Sequence, residues 1–252
     1  MAATSASNHS SELTDAPWSP ITLPSYPFLG KINEDPAAHL AGEMSVVHNV
    51  IIRSLNAIWH NATLVSAKDT PAFVGYALLV LTAIHSHHET EDKLMFPAFS
   101  GAGINMEENI EQHKAFHDGM EAFEKYFEQV KRRELLYDAV KTRELLKAFA
   151  DPLVHHLHEE ISTIQPEIMQ RADRNVLDQF VKDLEAHLKE EGGFTTSIPF
   201  ILTAHKAQEA PLWPPLPPVL RWLTKNVFSR VNASYWKFAP FTQSGEPRVY
   251  EP

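Results

Sequence analysis

The chain has 252 residues, an ordinary apolar fraction of 44% and a formal charge of -10. That acidity argues against a non-specific nucleic-acid binder, which needs a basic face. There is no cysteine, which excludes disulfides, thiolate zinc sites, iron–sulfur clusters and thiol nucleophiles, so any metal must be held by nitrogen and oxygen.

Residues 1–33 are rich in Ser, Thr and Pro and read as a disordered tail passing into an extended arm, WSPITLPSYPFLG. The N-terminus has no apolar h-region, and no run reaches the roughly 18 apolar residues of a membrane span. A soluble cytoplasmic protein with no nucleic-acid or membrane partner is expected.

Residues 34–171 read as the main domain. Asp35-Pro36 makes a helix start, and Met44, Val47, His48, Ile51, Ile52, Leu55 and Trp59 recur at helical spacing to about Asn61. A second helix is predicted from about Pro71 to Phe99 and a third from about Asn105 to Arg133, whose apolar face is Phe116, Met120, Phe123 and Phe127. The fourth covers about Asp138 to Gln170, with a kink or restart at Pro152. Four long helices with short connections predict an all-α, antiparallel four-helix bundle. Residues 172–252 add a fifth helix, about Arg174 to Glu190, stopped by Gly192-Gly193. Then come a proline-rich stretch, PLWPPLPP, a short helix over about Val219 to Val231 and an aromatic run, SYWKFAPF. This tail is too apolar to stay disordered and is expected to pack on the bundle, clamped by Trp213, Trp222, Trp236, Tyr235 and Phe238. A lid over a substrate pocket is the alternative.

Each bundle helix offers donors that face inward: His48; His87 with Glu91; His113 with His117; and His156 with Glu160. The last three pairs are spaced i, i+4, which puts both members on one helix face. Competing pairs exist. His87 shares its face with Val80, Ala83, Ile84, Leu94 and Ala98, whereas His85 runs with Glu89, Asp92 and Lys93, and the His88 face is mixed, with Leu81 and Met95 beside His85 and Asp92. His156 likewise lies with Phe149, Leu153, Thr163 and Ile164, and His155 with Asp151, Glu159 and Ser162. These faces select His87/Glu91 and His156/Glu160. Glu89, Asp92, His155 and Glu159, with His60, His85, His88 and His158, become outer partners or surface groups.

Burying five imidazoles and two carboxylates without a metal would leave many polar groups unpaired. Two octahedral metals need about 12 positions. Five histidines, two bridging carboxylates and a bridging oxide or hydroxide fill all but one, which leaves room for a small ligand such as dioxygen. Imidazole-rich, thiolate-free chemistry in an apolar bundle favours two iron ions, with zinc or manganese as alternatives. The set His48, HxxxE, HxxxH and a final His with a carboxylate, one part per helix, resembles the hemerythrin-like (HHE cation-binding) family over about Asp35 to Gln170. The strings HNVIIRSLNAIW, HHETEDKLMFP and QHKAFHDGMEAF are similar to members of it, and the long tail is similar to that of fungal members. Here the last pair is HxxxE, where the invertebrate oxygen carriers end in HxxxxD. The resemblance implies that His113, His117 and His156 bind one iron, His48 and His87 the other, and that Glu91 and Glu160 bridge them. Three roles are then open: a dioxygen-binding carrier, sensor or store; an oxygen-dependent di-iron oxidase or monooxygenase acting on a small organic substrate, for example in secondary metabolism; or a structural metal site.

Overall fold

The computed structural model describes residues 15–25, 35–191 and 193–252. The tail expected at 1–14, the second part of the arm at 26–34 and Gly192 lie outside the described residues. Helix α1 spans Pro36–Asn61, α2 Thr70–Thr90, α3 Phe96–Gly101, α4 Glu107–Lys131 and α5 Ala139–Thr163, with short α6 at Pro166–Met169, then α7 Arg174–Glu191, α8 Phe194–Ala204 and α9 Pro218–Asn226. A single π-helical turn, Glu91–Met95, joins α2 to α3. Among the described residues no strand forms beyond an isolated bridge, Phe241 to Pro247.

Local chemistry sets the helix ends. The Asp35 carboxylate accepts from the Ala38 amide at 3.0 Å and Pro36 occupies the first turn of α1. Asp138 does the same for α5 through the Lys141 amide, also at 3.0 Å. Helix α5 runs through Pro152 without a break and stops at Thr163. The stop falls two residues before Gln165-Pro166, where proline forces the preceding backbone out of the helical region; Gln165 has ψ 148. The expected restart is therefore at Pro166, not at Pro152.

α1 packs on α2 and α5, and α4 packs on α2 and α5. The connections 62–69, 102–106 and 132–138 are too short for a crossover, so the four form an antiparallel ring. Two apolar clusters fill it. One holds Ile52, Leu55, Phe73, Val80, Phe123, Phe127, Phe149 and Leu153. The other, at the opposite end, holds Phe96, Phe99, Ile104, Met106, Met169 and Phe180. His48, His87–Glu91, His113 and His156–Glu160 fall where the two clusters meet.

The chain ends wrap this ring. Residues 15–25 lie along α1, held by two asparagine side chains. Asn56 exchanges hydrogen bonds with the Trp18 amide (3.2 Å) and carbonyl (2.7 Å), and Asn49 with the Ile21 amide (2.6 Å) and carbonyl (2.9 Å). Seven helical residues rise about 10.5 Å and three extended residues about 10 Å, so the side-chain amides match the repeat of the extended arm. At the other end Phe238 packs edge-on to Phe73, Trp213 donates to Glu43 at 2.9 Å, and Tyr250 donates to Asp69 at 2.9 Å. Trp213, Trp236 and Phe238 are buried and Tyr235 covers Gly75, as a clamp requires, but Trp222 is exposed and takes no part in it. Helix α8, not expected from the sequence pattern, packs its Ile198, Phe200 and Leu202 inward and touches α1.

Candidate metal centre

The structure brings His48, His87, His88, Glu91, His113, His156 and Glu160 together. The atoms of His88, Glu91, His113 and His156 converge on one point, and those of His48, His87 and Glu91 on a second; Glu91 belongs to both. Its Oε1 is 3.0 Å from His87 Nε2 and its Oε2 is 3.4 Å from His113 Nε2. Glu160 lies across from it, with Oε2 at 3.2 Å from His48 Nε2 and 4.0 Å from His156 Nε2. The Nε2 atoms of His113 and His156 are 3.1 Å apart.

Four of the five rings are oriented by an outward hydrogen bond. His48 Nδ1 donates to the Leu157 carbonyl at 2.8 Å and His88 Nδ1 to the Ile84 carbonyl at 2.8 Å. His113 Nδ1 donates to Asp92 at 3.0 Å, and His156 Nδ1 donates to the Gln112 side-chain oxygen at 3.0 Å. Gln112 is fixed in turn by donating to Glu159 at 2.5 Å. A proton committed to Nδ1 leaves Nε2 as a lone pair aimed inward, the arrangement in which imidazole binds metal. The fit is borne on by what lacks a partner: Nε2 of His48, His87 and His88 and both oxygens of Glu91 and Glu160 are buried without a hydrogen bond. Acceptors packed against acceptors are costly unless a cation lies between them.

His117 is not brought to this group. Its side chain is 65% exposed, beside Asp118 and Glu121. The buried stripe of α4 is Asn109, His113, Phe116, Met120, Phe123 and Phe127. That stripe lies to one side of His113, and His117 is rotated about 40° to the other, onto the solvent face. His88 stands in its place, only 5% exposed, with its ring 4.7 Å from that of His113. Leu81 and Met95, which share its face, are both buried, and these two residues were the signal for His88. The count of five histidines and two carboxylates is unchanged. The π turn begins at Glu91, and the Phe96 amide bonds back to the Glu91 carbonyl; such turns recur at functional sites. Elsewhere, His85 pairs with Glu124 and His155 with Glu159 on the surface, while His158 donates to the Ser19 carbonyl and His60 meets Asp15 in the arm.

Burial pushes the pKa of His48 down to about 4 and that of His156 down to about 3, and holds His88 well below 6.5. Burial and the charge of Glu91 raise Glu160 well above 4.5. Glu91 stays ionised against its own burial because His87 and His113 face it. Burial opposes charge on His113 too, but the carboxylates of Glu91, Asp92 and Glu160 facing it raise its pKa.

These shifts give chelator-treated protein a pH dependence. The stability contributed by His48, His88 and His156 is lost as pH falls from 6.5 towards 4, because the unfolded histidines take up protons that the folded ones refuse. His113 and Glu160 have the opposite sign, and their contribution is lost as pH rises through their folded values. With three groups against two, the urea midpoint is expected to be lower at about pH 5 than at about pH 7. A midpoint that is flat or higher at the acid value contradicts this.

A helical ring closed around a shared histidine–carboxylate group defines a cation-binding bundle. The chain belongs to the hemerythrin HHE cation-binding family, matching the family described as Hemerythrin HHE cation binding domain over residues 39–168. It is similar to dimeric xanthone biosynthesis cluster protein R11 of Cryptosporiopsis sp. (strain 8999), at 29% identity over 223 residues, 86% of this chain and 84% of that protein. It is also similar to xanthocillin biosynthesis cluster protein F of Aspergillus fumigatus, at 23% identity over 190 residues, 72% of this chain and 82% of that protein. No solved structure matches it significantly.

Proposed function

We propose that this chain holds two iron ions through His48, His87, His88, Glu91, His113, His156 and Glu160, and uses them to bind or activate dioxygen in the oxidation of a small organic substrate in secondary metabolism. The observation that carries the reading is the set of buried, unpartnered Nε2 and carboxylate atoms that converge as two groups sharing Glu91. The relatives' names, both of biosynthesis clusters, support the enzymatic reading over a carrier. Iron bound at such a pair supplies the electrons for dioxygen chemistry.

The protein's own contribution is orientation and exclusion of water. Leu157 and Ile84 carbonyls, Asp92 and the Gln112–Glu159 pair fix four rings, so little reorganisation accompanies loading. Phe116 and Phe96 pack 4.9 Å and 5.0 Å from the His88 and His113 rings and keep that side dry. His87, whose side chain is 12% exposed, marks the side from which a small ligand approaches.

Anaerobic ferrous loading followed by air tests the proposal. The expected result is about two irons per chain by elemental analysis, di-iron absorption in the near ultraviolet and oxygen uptake. One tightly held zinc, no iron exchange and no oxygen uptake sink it in favour of a structural metal.

A further inference from the structure

From residue 210 to 245 the chain contains no aspartate or glutamate, while Arg221, Lys225, Arg230 and Lys237 bring four cations. The whole chain carries -10, so the remainder is more acidic still. Lys237 is neutralised by Asp69 at 2.5 Å. Among the described residues no carboxylate pairs with Arg221, Lys225 or Arg230; Arg221 donates instead to the Pro214 carbonyl at 3.0 Å.

The same stretch exposes apolar side chains out of proportion to its length. Leu212 is 74% exposed, Val219 70%, Trp222 61%, Val227 45% and Val231 43%. Thr224 is the buried position of α9. Trp222 lies roughly 160° around the helix from it, opposite the protein, with Lys225 one turn along. The 3-10 turn Phe228–Arg230 packs against α9, so Val227, Arg230 and Val231 continue the surface. A tryptophan flanked by unpaired cations at the outer face of a short amphipathic helix is the pattern of a helix lying in a lipid headgroup layer.

A second copy of the chain is the poorer occupant. A two-fold contact would set this cationic surface against itself, and a head-to-tail contact with the acidic bundle would not close. No described helix is long and apolar enough to cross a membrane, so contact would be peripheral. We propose that residues 212–231 form a docking surface for an anionic lipid bilayer. Lys225 and Arg230 meet the headgroups, Trp222 enters the interface, and the acidic remainder of the chain is turned away.

Co-sedimentation of the full chain with phosphatidylcholine vesicles, with and without phosphatidylserine, tests this. Binding is expected only to the serine-lipid vesicles at low salt, and it should be reversed by high salt. Each cation near such a surface contributes roughly fivefold, so Lys225→Glu with Arg230→Glu should weaken binding by at least about 25-fold. Trp222→Ala should weaken it by about tenfold or more. Leu136→Glu, at a 92% exposed site between α4 and α5, should not change it. Helical circular dichroism and metal content should be those of wild type in all three. Equal partition into both vesicle types, or an unaffected charge-reversal variant, overturns the proposal. So does Trp222-dependent self-association by light scattering without vesicle binding, which assigns the surface to a second copy.

Discussion

On the proposed two-metal reading, Glu91→Ala should empty both positions, taking metal content from about two per chain to near zero. Glu91 is the residue common to both donor groups, with one oxygen 3.0 Å from His87 and the other 3.4 Å from His113. Losing even an outer partner of a ligand typically costs 10- to about 100-fold in affinity, and losing a shared ligand should cost more at each position. The companion variants decide the register. His88→Ala should drop the content to about one, because His88 belongs to a single group. His117→Ala should leave it at the wild-type value, because that ring is on the surface. Elemental analysis after loading and desalting reads all three, with circular dichroism to confirm folding. If His117→Ala loses metal and His88→Ala keeps it, the arrangement of α2 against α4 described above is refuted.

Gly75→Ala should destabilise the protein by about 1–2 kcal/mol, against the local trend. Gly75 is inside α2, where alanine is ordinarily preferred by about 1 kcal/mol. Here an added Cβ would sit 2.1 Å from the Tyr235 ring and 2.3 Å from its hydroxyl. Moving that ring disturbs a clamp that includes buried Trp236 and Phe238. The sign is the test. In a Tyr235→Ala background the collision is absent, so the same Gly75→Ala change should become neutral or stabilising in urea denaturation. Destabilisation of equal size in both backgrounds would place its cause elsewhere.

The bundle was legible because its helices carry local signals. Asp35-Pro36 and Asp138 start helices where their side chains can cap, and the apolar period of α1 and α4 names the buried face. The same period brought His48, His113 and His156 to the interior. It failed at His117, because i, i+4 spacing leaves about 40° between two rings and the edge of a buried stripe can fall between them. It also undervalues His88, since His85 and Asp92 beside Leu81 and Met95 make that face mixed. Asp92, which the sequence leaves open as an outer partner or a surface group, accepts from His113 Nδ1. Pro152 does not restart the helix, and α8 is hidden in the sequence because its neighbours, Gly193 and the prolines after Ala210, dominate the local composition.

The terminal wrapping has a consequence for the order in which the chain folds. Apart from α1 on α5, the ring contacts join helices that follow one another around the bundle, and closing short loops costs little entropy. The clamp joins residues far apart: Trp213 to Glu43, Phe238 to Asn61 and Tyr250 to Asp69. Such contacts are expected to form after the ring exists to receive them. The N-terminal strap is a middle case, reaching from Trp18 to Asn56 locally but to Asp151 by its indole. Interactions that arrive after the folding barrier slow unfolding without speeding folding. The segments outside the family core are thus expected to act as a kinetic latch on the ring, lengthening the lifetime of the arrangement that brings the seven donors together.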